Sequence, residues 1–534
     1  MSEEAAPSVR HRTLTGLAGG AAQILLLALV AIGLIWTAGL PSYLGIAPFT
    51  EQYLAAFLSF ALAATFLLVP AGRGGAASVP WYDVVLAGAA LAAGAYVIVF
   101  YPKMAYSLSA IVADRVAVAG LGLLLILEAT RRLFGWSLVV IALVFCTYAA
   151  FAHLFPGLLA GRGASPERIL SYTYFDTNGL FGIALNICAT VVVSFIFFAA
   201  CLAVAGGERF FTDIAMALMG RRRGGAAKIS ILSSVLFGTV SGSAVANVVV
   251  GGAITIGMMK RNGYPPHTAA AIEAVASTGG QIMPPVMGIT AFLIAENLNV
   301  PYGQVALAAL VPALLYYIAL FVQADLEAAK LGLRGAPRSE LPRARDVMRR
   351  GWVFLVPLGA LVYLLVIESY RADFAGLVAA ATTLLLPLIY SRDHMKTRKL
   401  LAIFERTGRG MLDLTVVCAL AGVIMGALNL SGILFKSTLI LSSLSFGHPL
   451  VLLAVVAAIC IVLGMGLPSI VIYVLLAVLL APALTALGVT PMAAHLFIFY
   501  FGMLSMITPP VALATFAAMS IAGSRLWPTG WAGM

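Results

Sequence analysis

Four short polar breaks interrupt stretches of the chain that are otherwise apolar. The first reads Gly238-Thr239-Val240-Ser241-Gly242-Ser243-Ala244-Val245-Ala246-Asn247, and the second Ser277-Thr278-Gly279-Gly280-Gln281-Ile282-Met283-Pro284-Pro285. The third is Gly464-Met465-Gly466-Leu467-Pro468-Ser469, and the fourth Gly502-Met503-Leu504-Ser505-Met506-Ile507-Thr508-Pro509-Pro510. Glycine admits non-helical backbone angles, and proline removes a donor and ends the helix before it. The carbonyls so released, together with Ser and Thr hydroxyls, are hard oxygen ligands for Na⁺. A half-helix starting at such a break carries about half a positive charge at its N-terminus and suits an anion. Asn247 is a further ligand candidate, with a local cap or interhelical bond as its alternative.

Ionisable residues within the apolar stretches are the second source of chemistry. Glu273 lies about two turns before the Gly279-Gly280 break and is a candidate proton carrier or cavity-facing group. Glu128, Glu296, Asp413 and His495 stand nearer the ends of their stretches and read as interfacial groups reaching water. No HExxH, GxSxG or Walker A lysine motif is present, so neither a membrane-embedded hydrolase nor an ATP-driven pump finds its machinery. A simple channel fits paired breaks without a charged ring poorly. Cys146, Cys188, Cys201, Cys418 and Cys460 are scattered in apolar segments without ligand spacing and read as packing residues.

The elements that must hold these breaks are membrane helices. The 534 residues are 62% hydrophobic and 10% charged, whereas a soluble domain carries roughly 25% charged residues. That excludes a soluble enzyme, a disordered chain and a nucleic-acid binder. Runs long enough to span lie at 17–40, 53–71, 82–101, 116–133, 135–155, 180–205, 267–296, 303–324, 351–368, 373–391, 411–431 and 491–521. The first run is too long for a cleaved signal core and is followed by further spans.

The expectation is an all-α polytopic membrane protein with about twelve transmembrane helices. Two interrupted stretches, 229–259 and 449–487, are expected to be re-entrant helical hairpins. The net charge of +11 reads as topology. With Arg10 and Arg12 placed in the cytoplasm, 26 of the 32 Lys and Arg fall on the cytoplasmic side. Only Lys103, Arg115, Arg162, Arg168, Arg371 and Lys436 fall outside. The Arg221–Arg223 run then anchors topology against anionic lipid.

The chain also repeats itself at an offset of 225–226. Gly207, Phe210, Gly238, Ser243, Pro266 and Ala269 match Gly432, Phe435, Gly464, Ser469, Pro491 and Ala494. Ile282, Pro284, Pro285, Val286 and Thr290 match Ile507, Pro509, Pro510, Val511 and Thr515. The copies start from opposite sides, so they are inverted, which is the sequence mark of a secondary transporter with its site near the bilayer midplane. The expected division is a region 1–134, then 135–534 with one repeat over about 180–324 and the other over about 405–534. The second repeat is expected to lack its closing helix, whose counterpart would fall at about 528–549.

At these residues the chain resembles the membrane component of a TRAP transporter (tripartite ATP-independent periplasmic transporter). The resemblance rests on 237–247, 276–288, 464–469 and 207–226, and covers about 180–523. The N-terminal spans, with Leu127-Glu128-Ala129-Thr130-Arg131-Arg132, are similar to those of permeases carrying a fused small subunit, which typically partner a TAXI-type binding protein. The resemblance implies an ion-transporter-like elevator in the bacterial inner membrane, with a cytoplasmic N-terminus, no enzymatic activity and no cofactor. A periplasmic binding protein would deliver a small organic anion, and a Na⁺ or H⁺ gradient would drive uptake. Carried over by position, Ser241, Gly242, Ser243, Asn247, Thr278, Gly279 and Gly280 form one substrate and ion site. Gly464, Gly466, Pro468, Ser469, Ser505 and Thr508 form its symmetric partner. Na⁺ positions are expected at Ser241, Ser243 and Gly279, and at Gly466, Ser469 and Thr508. The alternative is an ion-coupled dicarboxylate symporter that works without a binding protein.

Overall fold

The computed structural model describes residues 12–72, 78–337, 341–390, 397–444 and 448–534. Arg10, Arg338 and the basic residues of 392–396 lie outside the described residues, as does the side chain of Ser241. The described residues form helices and no strand. Nine of those helices are long and apolar enough to cross a membrane.

Eight of the nine fall on expected runs and the ninth, Ser469–Ala486, belongs to the second interrupted stretch, while the runs 116–133, 267–296, 373–391 and 491–521 are not among them. The run 267–296 is two helices, Pro266–Gly279 and Ile289–Leu298, and the run 491–521 is likewise Pro491–Leu504 and Leu513–Ala522. The prolines at 284–285 and 509–510 leave the ladder without donors there. The run 411–431 is the apolar end of a 35-residue helix, Thr397–Ser431. A π turn at Cys188–Val192 interrupts the helical run from Ile183 to Ala205.

Lipid-facing and protein-facing helices separate cleanly. Along Tyr302–Lys330 the exposed residues Leu307, Val311, Leu315, Ile318, Val322 and Leu326 recur every three or four positions. This is a stripe whose only suitable solvent is hydrocarbon. In contrast, Thr50–Leu68 and the apolar part of Thr397–Ser431 are buried on nearly all sides and form the interior of the bundle.

The two interrupted stretches are helical hairpins. Hairpin 1 pairs Gly225–Ser241 with Ala244–Arg261, and hairpin 2 pairs Pro449–Gly464 with Ser469–Ala486. Each packs on the broken helix of its own repeat. A short final helix, Leu526–Gly533, stands at the position matching the start of Tyr302–Lys330, 225 residues on, and packs on Pro266–Gly279.

The N-terminal helices are clasped by buried charge. Asp83 receives Arg12 Nη2 at 2.6 Å and Arg132 Nη2 at 2.7 Å, and all three side chains are almost wholly shielded. Arg132 Nε also donates to Glu128 at 2.8 Å, and Arg131 Nε donates to the same carboxylate at 2.7 Å. Arg12 and Arg132 further donate to the terminal carbonyls of Thr50–Leu68 and the residue after it, at Phe66, Leu67 and Val69. These arginines therefore do more than mark a side of the membrane. They tie the N-terminal segment to the ends of three helices. Glu128 is likewise a paired group rather than one simply reaching water.

Candidate functional site

The site is built where chain breaks meet. Hairpin 1 turns at Gly242, whose φ of +63° is a left-handed conformation that glycine takes without a Cβ clash. A methyl built there would lie 2.9 Å from the Met287 carbonyl oxygen, so the tip sits on the loop that follows Pro284-Pro285. Hairpin 2 repeats the arrangement. Gly466 has φ +77°, and its backbone N–H donates to the Val511 carbonyl at 3.0 Å, just after Pro509-Pro510. Both Pro-Pro bonds are cis.

Deeper contacts obey the same symmetry. A methyl on Gly238 would meet Gly280 Cα at 2.6 Å, so hairpin 1 and the first broken helix touch backbone to backbone. In the second repeat a methyl on Gly464 would meet Ser505 Oγ at 2.6 Å. The two breaks also meet each other, because Gln281 Nε2 lies 3.9 Å from Met506 Sδ.

Around these contacts the helix ends are oriented alike. Ala244–Arg261, Ile289–Leu298, Ser469–Ala486 and Leu513–Ala522 all begin at the breaks, and each brings unpaired backbone N–H groups and a partial positive charge. Ser243 caps the first of these, accepting from the Ala246 N–H at 3.3 Å. Pro468 stands at the N-cap of Ser469–Ala486, with Ser469 as its first residue.

The junction of hairpin 1 with the first broken helix holds buried side-chain oxygens that have no partner among the described residues. Asn247 Nδ2 donates to the Ser234 carbonyl at 3.1 Å, but Asn247 Oδ1 has no partner. Thr278 Oγ1, Gln281 Oε1 and Thr290 Oγ1 are also buried and unpartnered. Each such atom costs about 1–3 kcal/mol when left unpaired. These four are most of the seven buried unpartnered side-chain atoms among the described residues. Asn247 belongs to hairpin 1, Thr278 and Gln281 to the break that ends Pro266–Gly279, and Thr290 to the helix that follows, so the four gather on the elements of the first repeat around its junction. In the fourth break the donors are spent locally. Ser505 Oγ donates to the Gly502 carbonyl at 2.6 Å and Thr508 Oγ1 to the Leu504 carbonyl at 2.7 Å, which leaves their lone pairs free.

Not every expected residue faces the junction. Gly279 is turned so that a methyl would strike Tyr316 and Tyr317 of Tyr302–Lys330, while Gly280 is the residue against hairpin 1. Gln281 and Thr290 were not among the expected ligands, although both sit beside quoted motifs. Three tyrosines of Tyr302–Lys330 were also not anticipated. Tyr317 Oη donates to the Ala276 carbonyl at 2.9 Å and Tyr316 Oη to Val275 at 2.8 Å. Tyr302 Oη donates to both Val286 and Pro285, the latter at 3.0 Å. Each phenol takes a carbonyl that the helix break has freed.

Thr508 also lines a cavity of about 640 Å³, together with His267, Tyr316, Gln323, Lys330 and Trp531. The volume is in the range of small-molecule sites. Glu273, by contrast, is fully enclosed. Ser230 Oγ and Thr255 Oγ1 donate to its Oε2 at 2.6 and 2.5 Å, and Ser277 Oγ and Ser234 Oγ donate to its Oε1 at 3.0 and 3.2 Å. Among the other ionisable residues, Glu296 is exposed, and His495 Nδ1 pairs with Tyr473 Oη at 2.7 Å. Asp413 Oδ1 is shielded and unpartnered, so that group does not simply reach water.

Comparison with known proteins places these features in company. Residues 121–532 match the family model described as the tripartite ATP-independent periplasmic transporter, DctM component. The C4-dicarboxylate TRAP transporter large permease protein DctM of Pseudomonas aeruginosa is 27% identical over 339 residues, covering 63% of this chain and 78% of that one. The sialic acid TRAP transporter large permease protein SiaM of Vibrio cholerae is 24% identical over 320 residues, covering 59% and 72%. The isethionate TRAP transporter permease protein DctMQ of Oleidesulfovibrio alaskensis is 22% identical over 364 residues, covering 67% and 54%.

Proposed function

The chain belongs to the DctM component family of the tripartite ATP-independent periplasmic transporters, and on that premise we propose that it imports a small organic anion handed over by a periplasmic binding protein, driven by a Na⁺ or H⁺ gradient. It is an integral inner-membrane permease of the TRAP type, and its relatives are permeases rather than enzymes. The reading rests above all on the meeting of the two helix breaks at Gln281 and Met506, with four unpartnered oxygens on the surrounding elements of the first repeat. Irregular backbone at membrane depth is tolerated where it lines a cavity or binds something.

In this reading the hairpins are re-entrant and enter from opposite sides, with the N-terminus cytoplasmic. They move with the broken helices as one body against the outer helices. Na⁺ would take oxygen ligands at the tips, from the Ser241–Ser243 turn, Asn247 and Thr278 in one repeat and from Gly466, Ser469, Ser505 and Thr508 in the other. The substrate anion would lie between the tips, stabilised by helix N-termini, since no Arg or Lys stands at the four breaks. The N-terminal region 1–134, most of which precedes the family match, acts in this reading as a fused small-subunit-like scaffold. The reading also includes a TAXI-type partner, in keeping with that fused arrangement.

Reconstitution tests it. The permease in proteoliposomes, with its cognate binding protein outside, would be offered labelled C4-dicarboxylates, sialic acid and isethionate, the substrates printed in its relatives' names. Uptake that requires both the binding protein and an imposed ion gradient supports the proposal. Uptake without the binding protein makes the chain a simple symporter, and flux without a gradient makes it a channel.

A further inference from the structure

We propose that Glu273 is a proton-carrying site confined to the first repeat, with four hydroxyls arranged to hold it in either charge state. The carboxylate is wholly buried, and its four hydroxyl partners come from three helices: Ser230 and Ser234 from Gly225–Ser241, Thr255 from Ala244–Arg261, and Ser277 from Pro266–Gly279. The site thus lies on the seam between hairpin 1 and the broken helix it packs on.

No cation among the described residues neutralises it. On the hairpin, Lys228 is bound to Asp325 at 2.5 Å and Lys260 donates to the Ala522 carbonyl at 2.7 Å, while Arg261 is exposed. His267, on the same helix as Glu273, lines the cavity described above. On Tyr302–Lys330, Tyr302, Tyr316 and Tyr317 are committed to carbonyls, Glu327 faces Lys330 at 3.7 Å, and Asp325 serves Lys228 and Arg223. Leu513–Ala522 and Leu526–Gly533 carry no ionisable residue. Neutralisation of this carboxylate therefore has no source among the side chains packed around it.

The four contacts are hydrogen-bond contacts to the carboxylate, an arrangement that suits a proton. Ser230 and Thr255 touch the same carboxylate oxygen at 2.6 and 2.5 Å. An ion inserted at metal–oxygen lengths of about 2.4 Å would hold its oxygen ligands roughly 3 Å or more apart. A proton needs no such room. A hydroxyl both donates and accepts, so one of the four can rotate to accept from a protonated Glu273 while the others continue to donate. The step is a proton transfer alone. One O–H bond forms on Oε1 or Oε2, the carboxylate charge is neutralised, and the proton is taken from water and returned to water.

The second repeat supplies the control. At an offset of 226, Ser230, Ser234 and Thr255 are replaced in hairpin 2 by Val456, Cys460 and Ala481. At 225, Glu273 and Ser277 are replaced by Ile498 and Gly502. Hairpin 2 packs on its broken helix and these counterparts are buried there without hydroxyls or charge, so the architecture does not require the cage.

The test uses the full-length permease in lipid nanodiscs and infrared difference spectroscopy during a pH titration, with and without Na⁺. It needs neither substrate nor binding protein, so its outcome is separate from that of the transport reading. A carboxylic-acid carbonyl band that titrates, is lost in Glu273→Gln, changes frequency in Ser230→Ala and Thr255→Val, and ignores Na⁺ is the expected result. The two hydroxyl variants keep the assignment open to test should Glu273→Gln fold poorly. A Glu273 that stays ionised throughout the titration overturns the proposal. So does a band that Na⁺ bleaches, which would make the cage a metal site.

Discussion

Gln281 and Met506 occupy matching positions of the two repeats, 225 residues apart, and their side chains meet with Nε2 3.9 Å from Sδ. The contact brings the break of each helix against the other. The two breaks are therefore not separate defects in two helices but two halves of one junction. The halves are unequal. The amide spends a donor on a weak sulfur acceptor, and Gln281 Oε1 is left with no partner. The second repeat completes the junction sterically, and the first brings its unsatisfied oxygens.

Backbone contact between hairpin 1 and its broken helix makes Gly238 intolerant of any side chain. A methyl there would stand 2.6 Å from Gly280 Cα, an atom with no freedom to rotate away. Gly238→Ala is expected to cost about 1–3 kcal/mol and to abolish uptake. Gly359→Ala is the control, since nothing lies within 4 Å of its added methyl. Thermal unfolding of the detergent-solubilised pair measures the difference, and equal melting would show that the close approach does not exist.

The tyrosines of Tyr302–Lys330 satisfy carbonyls exposed where Pro266–Gly279 ends. Tyr317→Phe keeps the ring and removes one hydroxyl, which leaves the Ala276 carbonyl without the bond it receives at 2.9 Å. A loss of about 1–2 kcal/mol is expected. The same change at Tyr363, a half-exposed phenol bound to Glu368, should cost much less, because water replaces the bond. Denaturant or thermal unfolding of the two variants reads the contrast.

How much of this was legible beforehand depended on the kind of residue. Glycine and proline at symmetric spacing located both hairpin turns and both helix breaks within a residue or two, because those residues act on their own backbone. The partners were harder to see. Ser230 and Ser234, four apart, and Glu273 and Ser277, four apart, each lie on one helix face, and that spacing was an available signal for the cage. What joins the two faces is packing between helices, which no local pattern records. Arg12 and Arg132 have a second role that was hidden for the same reason. Their charge places them near a membrane surface, but only the fold brings Asp83 between them.

Removing the charge of Asp83 leaves two buried guanidinium groups facing a neutral amide. Asp83→Asn is expected to destabilise the N-terminal helices by about 3–5 kcal/mol, as breaking a buried ion pair from one side does. Arg209→Ala breaks only a surface pair with Asp213 at 3.9 Å and should cost well under 1 kcal/mol. Limited proteolysis with mapping of the cut sites would detect the loosening, and indistinguishable digestion of the two variants would contradict the clasp.

Thr278 offers the sharpest separation of an ion ligand from a structural hydroxyl. Its Oγ1 is buried and has no partner in the protein. If the hydroxyl served only packing, replacing it with the isosteric methyl of valine would remove an unsatisfied polar atom and nothing else. Thr278→Val is therefore expected to hold or raise stability in Na⁺-free buffer, by up to about 1–3 kcal/mol. A ligand that binds the folded state stabilises it in proportion to its affinity, so wild type should melt higher as Na⁺ is added, and Thr278→Val should respond much less. Ser505→Ala behaves differently. Its hydroxyl already donates to the Gly502 carbonyl at 2.6 Å, so that variant loses stability with or without Na⁺. Melting curves over a Na⁺ series, with choline as the control cation, distinguish the cases. A Thr278→Val protein that keeps the full Na⁺ response would remove this oxygen from the ion site.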